Sequence, residues 1–397
     1  MQLLKNVFVV LFACATFVTA IAQKNKELVP FKKSTLWGYT DTGKNFVIEP
    51  QYQEAHLFSE GLAAVKLNGK WGYINSAGAT VIPFEYDAVD DFFEKTACVL
   101  KDRLCGYINP KGKPIAPFAY DEAGRMKNGL AYVRIRHYYG FVNAKGKEVV
   151  PLRYGMVEEF NGAVACVEKQ ARWRVLDKNG KVLGDTMYES YVSFSEGYAA
   201  VKKNGKYGYI NSKGKQVVYA EYDFAGPFSQ GLACVGIDTF GQRLYGFINA
   251  AGKRVIDLQF GNAKPFSEDL APIMLSGQWG FINTKGEVVI PCKYREVWSF
   301  SEGLARVNNG IGFGFINQKA DTIVDFKYTY AIDYKNGVAS FRNADNKWGA
   351  VDKNGKEVIT PQYENVLDFS TGKYAKAFRR SIFLGYVDTK GNQFYTE

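Results

Sequence analysis

Two histidines, six cysteines and forty Asp and Glu residues are the side chains of this 397-residue chain from which acid–base catalysis, nucleophilic attack or metal ligation could be built. A Ser-His-Asp arrangement would have to centre on His56 or His137. Paired carboxylates would suit glycoside hydrolysis. Asp177-Lys178-Asn179-Gly180 and Asp352-Lys353-Asn354-Gly355 resemble the opening of calcium loops, but the alternating ligands and closing Glu are missing, so each reads as a turn. Gly310-Ile311-Gly312-Phe313-Gly314 fails as a phosphate loop, because Phe315 stands where the third Gly is required. No cysteine pair has CxxC spacing, so no zinc site is read. The sequence thus names no catalytic residue, no metal ligand and no cofactor.

Whatever chemistry these groups carry is placed by a repeat. Anchor residues recur at Trp37, Trp71, Cys105, Tyr139, Trp173, Tyr207, Tyr245, Trp279, Phe313, Trp348 and Leu384, 34 residues apart except for intervals of 38, 35 and 36 after Tyr207. Gly follows every anchor but Trp173, where Arg174 stands, and fifteen residues beyond the first ten anchors comes a Tyr or, once, Phe260. His56 lies 15 residues before its anchor and His137 only 2 before its own, so the lattice does not bring them to one equivalent spot. Both read as surface or turn residues. Glu60, Glu196 and Glu302 recur in one repeated segment, and Asp87 and Asp223 in another. Recurrence points to turn caps rather than to a single active site. Cys98, Cys166 and Cys234 each sit in Ala-Cys-Val at 68-residue spacing, where other copies carry Ala64, Ala200 or Arg306, and read as small strand residues. The anchor column beside Gly reads as core, with Gly leaving room for a neighbouring ring, rather than as a stacking platform.

One unit, residues 58–91, predicts its own elements. Leu62 to Leu67 suits a strand, Asn68-Gly69 a tight hairpin turn, Lys70 to Asn75 the return, and Thr80 to Pro83 a short third strand. Forty Gly, twelve Pro and 15% aromatic residues fit many short strands and few long helices. Phe58-Ser59-Glu60-Gly61, repeated at Phe194 and Phe300, with Trp71 to Asn75 and Trp279 to Asn283 as Trp-Gly-aromatic-Ile-Asn, resembles the bacterial WG-repeat family over essentially all of residues 28 to 397. Cys105 and Leu384 at the anchor, and Arg174 for Gly, depart from it. The resemblance implies a β-rich tandem array used for binding, without an assigned catalytic residue. The expected fold is all-β: eleven three-stranded meanders of about 34 residues that bury their apolar faces by stacking. An open, elongated array is the first expectation, because neither chain end has a strand to offer the other, and propeller-like closure is the alternative.

Residues 1–22 read as a secretory signal peptide: Lys5, an apolar run from Val7 to Val18, then Ala20-Ile21-Ala22, leaving 23–397 as the repeat domain. A lipoprotein reading at Cys14 is disfavoured by the bulky Phe12 before it. No transmembrane segment is expected in the mature chain, which should reach the periplasm, envelope or exterior. The formal net charge is +10. The first hairpin turn of each unit concentrates positive charge in the first six units, through residues including Lys66, Lys70, Arg134, Arg136, Lys202, Lys203 and Lys206. These seven are the candidate binding residues. The length variation falls in the same turns, near Asp238 to Arg243, Asn343 to Asn346 and Arg379 to Ile382. The expected function is a non-enzymatic binding or scaffolding module of the cell envelope, meeting a protein or an anionic polymer; a carbohydrate-active hydrolase and a plain envelope spacer are the alternatives. No nucleic-acid motif is present.

Overall fold

The structure, a computed structural model, describes residues 27–160, 162 and 164–396. The expected leader over 1–22, with Cys14, lies outside them. Among the described residues the fold is all-β, with eleven antiparallel sheets and no helix. The unit around Trp71 shows how the sequence does this. Strands Leu62–Leu67 and Lys70–Asn75 pair in register from Leu62↔Asn75 to Leu67↔Lys70. The turn between them is closed by Asn68 and Gly69, both at positive φ, the conformation that Asn and Gly tolerate best. The third strand, Thr80–Tyr86, is longer than expected and bulged: Tyr73 faces Ile82, but Trp71 faces Tyr86. Pro83 sits in that bulge, where its missing N–H breaks no ladder bond.

Nine of the eleven sheets carry a fourth strand that the meander reading lacked. In eight of these sheets the connector contributes two residues, here Glu54–Ala55, paired with Lys66 and Val65, and in the ninth it contributes six, Phe224–Ser229. The N–H of Gln53 donates to Lys66 O at 2.8 Å and that of His56 to Ala64 O at 2.9 Å, so this segment extends the sheet.

The chain forms two compact units, residues 1–118 with 394–397, and residues 119–393. Within the first, the sheet of Val29–Lys33, Leu36–Thr40 and Phe46–Tyr52 has three strands. The end of the chain comes to it: Tyr395 bridges Lys32 in parallel and the Thr396 N–H donates to Lys32 O at 2.9 Å. One chain end therefore does supply pairing that the other lacks. This is the kind of contact that propeller-like closure, the second of the two arrangements open to the sequence, requires at the first sheet, and that the open array does not call for.

Cores form between consecutive repeats. Trp71, Tyr73, Ile82 and Tyr86 pack with Phe92, Val99 and Ile108 of the next repeat, and Phe281, Ile290 and Tyr294 with Phe300, Val307 and Ile316. All ten aromatics fifteen residues past an anchor are buried. Polar latches follow the same step. Ser59 Oγ donates to Phe92 O at 2.6 Å, and Ser195, Ser229, Ser267 and Ser301 repeat the bond to Phe228, Phe266, Phe300 and Tyr334.

Candidate binding edge

Most residues that might have done chemistry have structural partners. Glu60 accepts from the Lys95 N–H, Glu196 from Gln230 and Gly231, and Glu302 from Gly337, so the repeated Glu caps the corresponding turn of the next repeat. Asp177 Oδ1 accepts from the N–H groups of Asn179 and Lys181, and Asp352 Oδ1 from those of Asn354 and Lys356; both are Asx turns. Cys98, Cys166 and Cys234 lie on first strands and are not in disulfides. His137 is exposed in a turn. His56 is half-buried, with Nδ1 2.9 Å from Asp91 Oδ1 and its ring 4.8 Å from that of Trp71. The nearby Ser59 hydroxyl is already committed to Phe92 O.

The seven basic candidates all lie at first-hairpin ends, as the sequence places them, but they divide in two. In the unit of residues 1–118, Lys66 reaches Glu54 at 2.8 Å and Lys70 reaches Asp87 at 2.5 Å. In the unit of residues 119–393, Arg134 reaches Glu122 at 2.8 Å and Lys206 reaches Asp223 at 2.6 Å. Lys66, Arg134 and Lys202 also lie over the anchor rings of Trp71, Tyr139 and Tyr207 at 5.7, 5.8 and 5.4 Å. Each faces that ring across the hairpin, which explains why a cation recurs there. Arg136 and Lys203 are exposed, and among the described side chains no ion pair holds them.

Carboxylates stitch these turns together. Asp223 accepts from the Asp238 N–H of the next turn and from Lys206 of its own side, and the two contacts hold its carboxyl below the usual range. Asp87 does the same with Lys70 and the Asp102 N–H, and Glu364 with Lys347 and the Arg380 N–H. Much of the positive charge of the turns is therefore balanced by acidic residues that lie outside them in sequence.

Two features escaped sequence reading. The extra residues of the 38-residue interval lengthen both strands of one hairpin, Leu232–Thr239 and Gln242–Asn249, from six residues to eight. Asp238 and Arg243 pair across this arm at 2.6 and 2.9 Å, and Phe240 stands fully exposed at its tip. The second feature is a cation–aromatic stack. Arg306 is buried 3.8 Å above Trp298, its Nε donates to Asp333 at 3.0 Å, and its guanidinium also donates to Ala331 O. Lys264 lies over Trp279 and Trp298 at 5.0 and 4.9 Å and donates to Val297 O at 2.6 Å. Burial, with Arg306 close by, holds its ammonium below the usual lysine range. Trp298 as the one Trp off the anchor, and Arg306 in a small-residue column, were the available signals. With its cations internally partnered, the stack is a brace between repeats.

Comparison with known proteins agrees with this lattice. The family described as WG containing repeat matches ten successive segments from residues 37–71 to 348–377. No curated protein matches the chain. Among solved structures, one titled as the eukaryotic initiation factor is 10% identical, covering 86% of this chain and 97% of its own, with a TM-score of 0.46. BamB from Moraxella catarrhalis is 14% identical over 66% and 90%, with a TM-score of 0.37. The WD40 β-propeller domain of Doa1 is 11% identical over 52% and 82%, with a TM-score of 0.28. With the repeated residues matched along most of its length, the chain belongs to the WG containing repeat family.

Proposed function

We propose that this protein is an exported, non-enzymatic binding or scaffolding module of the cell envelope that engages its partner through the tips of the first hairpins. One observation carries the reading. The Ser, Glu, Asn and Asp positions of the lattice are occupied in joining or capping repeats, whereas the hairpin tips differ from unit to unit and face solvent. Sites that vary on a fixed frame are where recognition is carried. Arg136 and Lys203 are the members of the basic set suited to an anionic polymer or an acidic protein surface.

The test is retention on immobilised heparin across a salt series. Arg136→Gln with Lys203→Gln should elute at lower salt than the parent and melt at the same temperature, because neither side chain is held in an ion pair. Lys70→Gln with Lys206→Gln should change melting more than retention. Equal elution of all three proteins would remove Arg136 and Lys203 from the binding edge.

A further inference from the structure

We infer that the first-hairpin edge of residues 119–393 is a docking surface for an anionic phospholipid bilayer, with Phe240, Ile311 and Ile382 as its apolar anchors. The inference rests on the reading that this edge is the one that binds.

Three observations converge. First, large apolar side chains stand in water at hairpin tips or at the strand end beside them: Phe240 is 108% exposed, Ile311 88% and Ile382, next to its turn, 60%. Residue for residue, Phe240 is the least at home. It takes φ 46° beside Gly241 at φ 83°, whereas Asn68 and Asn204 fill the equivalent place in other units. A bulky residue in the left-handed region is disfavoured, and Phe240 has no packing in the folded chain to offset it. Turn chemistry therefore does not account for it.

Second, Phe240 is carried forward. Two extra residue pairs lengthen its arm, and at about 3.3 Å per residue they advance the tip by about 7 Å relative to a six-residue hairpin. That increment falls within the depth of about 5–10 Å at which interfacial apolar groups sit below the headgroups. The Asp238–Arg243 pair stiffens the arm while adding no net charge to it.

Third, cations stand on shorter turns of the same edge. Arg136, Lys203 and Arg380 are exposed, and no ion pair among the described side chains engages them. Their turn backbones are tied down instead, Arg136 N–H by Asp121 at 2.5 Å, Asn204 N–H by Glu189 at 2.8 Å and Arg380 N–H by Glu364 at 2.5 Å. This leaves the side chains at headgroup level. Asp223 ties Lys206 of one turn to the Asp238 N–H of the next, and Glu364 ties Lys347 to the Arg380 N–H, so neighbouring turns are held side by side where these carboxylates stand.

The division of labour selects the partner. A polysaccharide would satisfy the cations and leave Phe240, Ile311 and Ile382 in water. A protein would need several separate apolar pockets, one for each isolated protruding tip. A fluid bilayer accepts protruding apolar tips wherever they fall, and its anionic headgroups meet the cations between them.

The test is co-sedimentation of the purified protein with vesicles of equal parts phosphatidylglycerol and phosphatidylcholine, and with phosphatidylcholine alone. Binding to the first, weakened by salt, is expected. The variant Phe240→Ser, Ile311→Ser, Ile382→Ser should partition at least about tenfold less with unchanged melting, since these side chains are exposed. In a Phe240→Trp variant, brominated acyl chains should quench the emission that the parent lacks. Absence of sedimentation with either vesicle, equal binding of the Ser variant, or no added quenching would each overturn the inference. Heparin retention is read separately, so a protein that is retained on heparin but ignores vesicles sinks the lipid surface and leaves the binding edge standing.

Discussion

At the level of single residues, the repeated Gly after the anchor does more than the sequence reading assigns to it: at Gly106 a Cβ would meet the Phe118 ring at 2.8 Å, as expected, but at most copies the main chain of the third strand comes first. It makes room chiefly for backbone: a Cβ on Gly280 would lie 2.4 Å from Ile290 O, and one on Gly72 2.7 Å from Ile82 O. The bulge that brings the third strand this close was invisible in a pattern of residue types, because it concerns main-chain register. Gly280→Ala is therefore expected to destabilise by about 1–3 kcal/mol, measured by denaturant unfolding. An unchanged midpoint would mean that the bulge relaxes freely. Arg174 shows the alternative solution. In its sheet Val175 faces Leu183, one residue short of the usual partner, and Gly184, within the third strand, takes φ 70°. The anchor column was legible as core, though unevenly so: Trp37, Trp71 and Phe313 are buried, while the other anchors are half-buried. Trp71→Ala should accordingly cost about 3–5 kcal/mol, and Trp279→Ala, half-buried beneath Lys264, should cost less.

At the level of elements, the three long strands of each unit were legible because turn signals such as Asn68-Gly69 bracket runs of apolar and aromatic residues. The fourth strand was not, since two residues such as Glu54–Ala55 give no periodicity to detect and owe their strand character to the neighbouring Lys66 and Val65. Turn-to-turn carboxylates were missed for a similar reason: Asp87, Asp223 and Glu364 stand after the third strand, outside the hairpin whose Lys they pair with, and reach on to an N–H of the next turn. These links set a pH dependence. The folded-state pKa is lowered in Asp87 and Glu364 chiefly by the lysine hydrogen bond, and in Asp223 chiefly by the Asp238 N–H. A group shifted down stabilises the fold above its unfolded pKa, near 4, and loses that contribution as pH falls through the folded value. The melting temperature should be nearly level from about pH 7 to 5 and fall below about 4. Replacing the three by Asn, Asn and Gln should lower it at neutral pH and flatten the acid limb. A limb of equal steepness would place the acid sensitivity in other carboxylates.

At the level of the whole chain, the period of 34 was read correctly and the treatment of the ends was not. Both termini are in phase with the repeat, so by strand number alone neither completes the other. The structure places Tyr395 and Thr396 along Lys32 instead, in parallel rather than in the antiparallel sense of the hairpins. A parallel addition leaves no hairpin and no turn signal, so a search built on tight turns passes over it. Tyr395 is 6% exposed in this position, and Phe394 before it is fully buried. Ending the chain at Phe394 should remove one buried aromatic and the hydrogen bond to Lys32, at a cost of about 1.5–3 kcal/mol for the side chain. The decisive measurement is hydrogen exchange in the first sheet, compared between the parent and the shortened chain. If the terminal segment closes the array, amides of Val29–Lys33 should lose protection although they lie more than three hundred and fifty residues from the deletion. In an open array the loss of three terminal residues would be felt only near residue 394, and unchanged protection at Val29–Lys33 would return the open arrangement to first place.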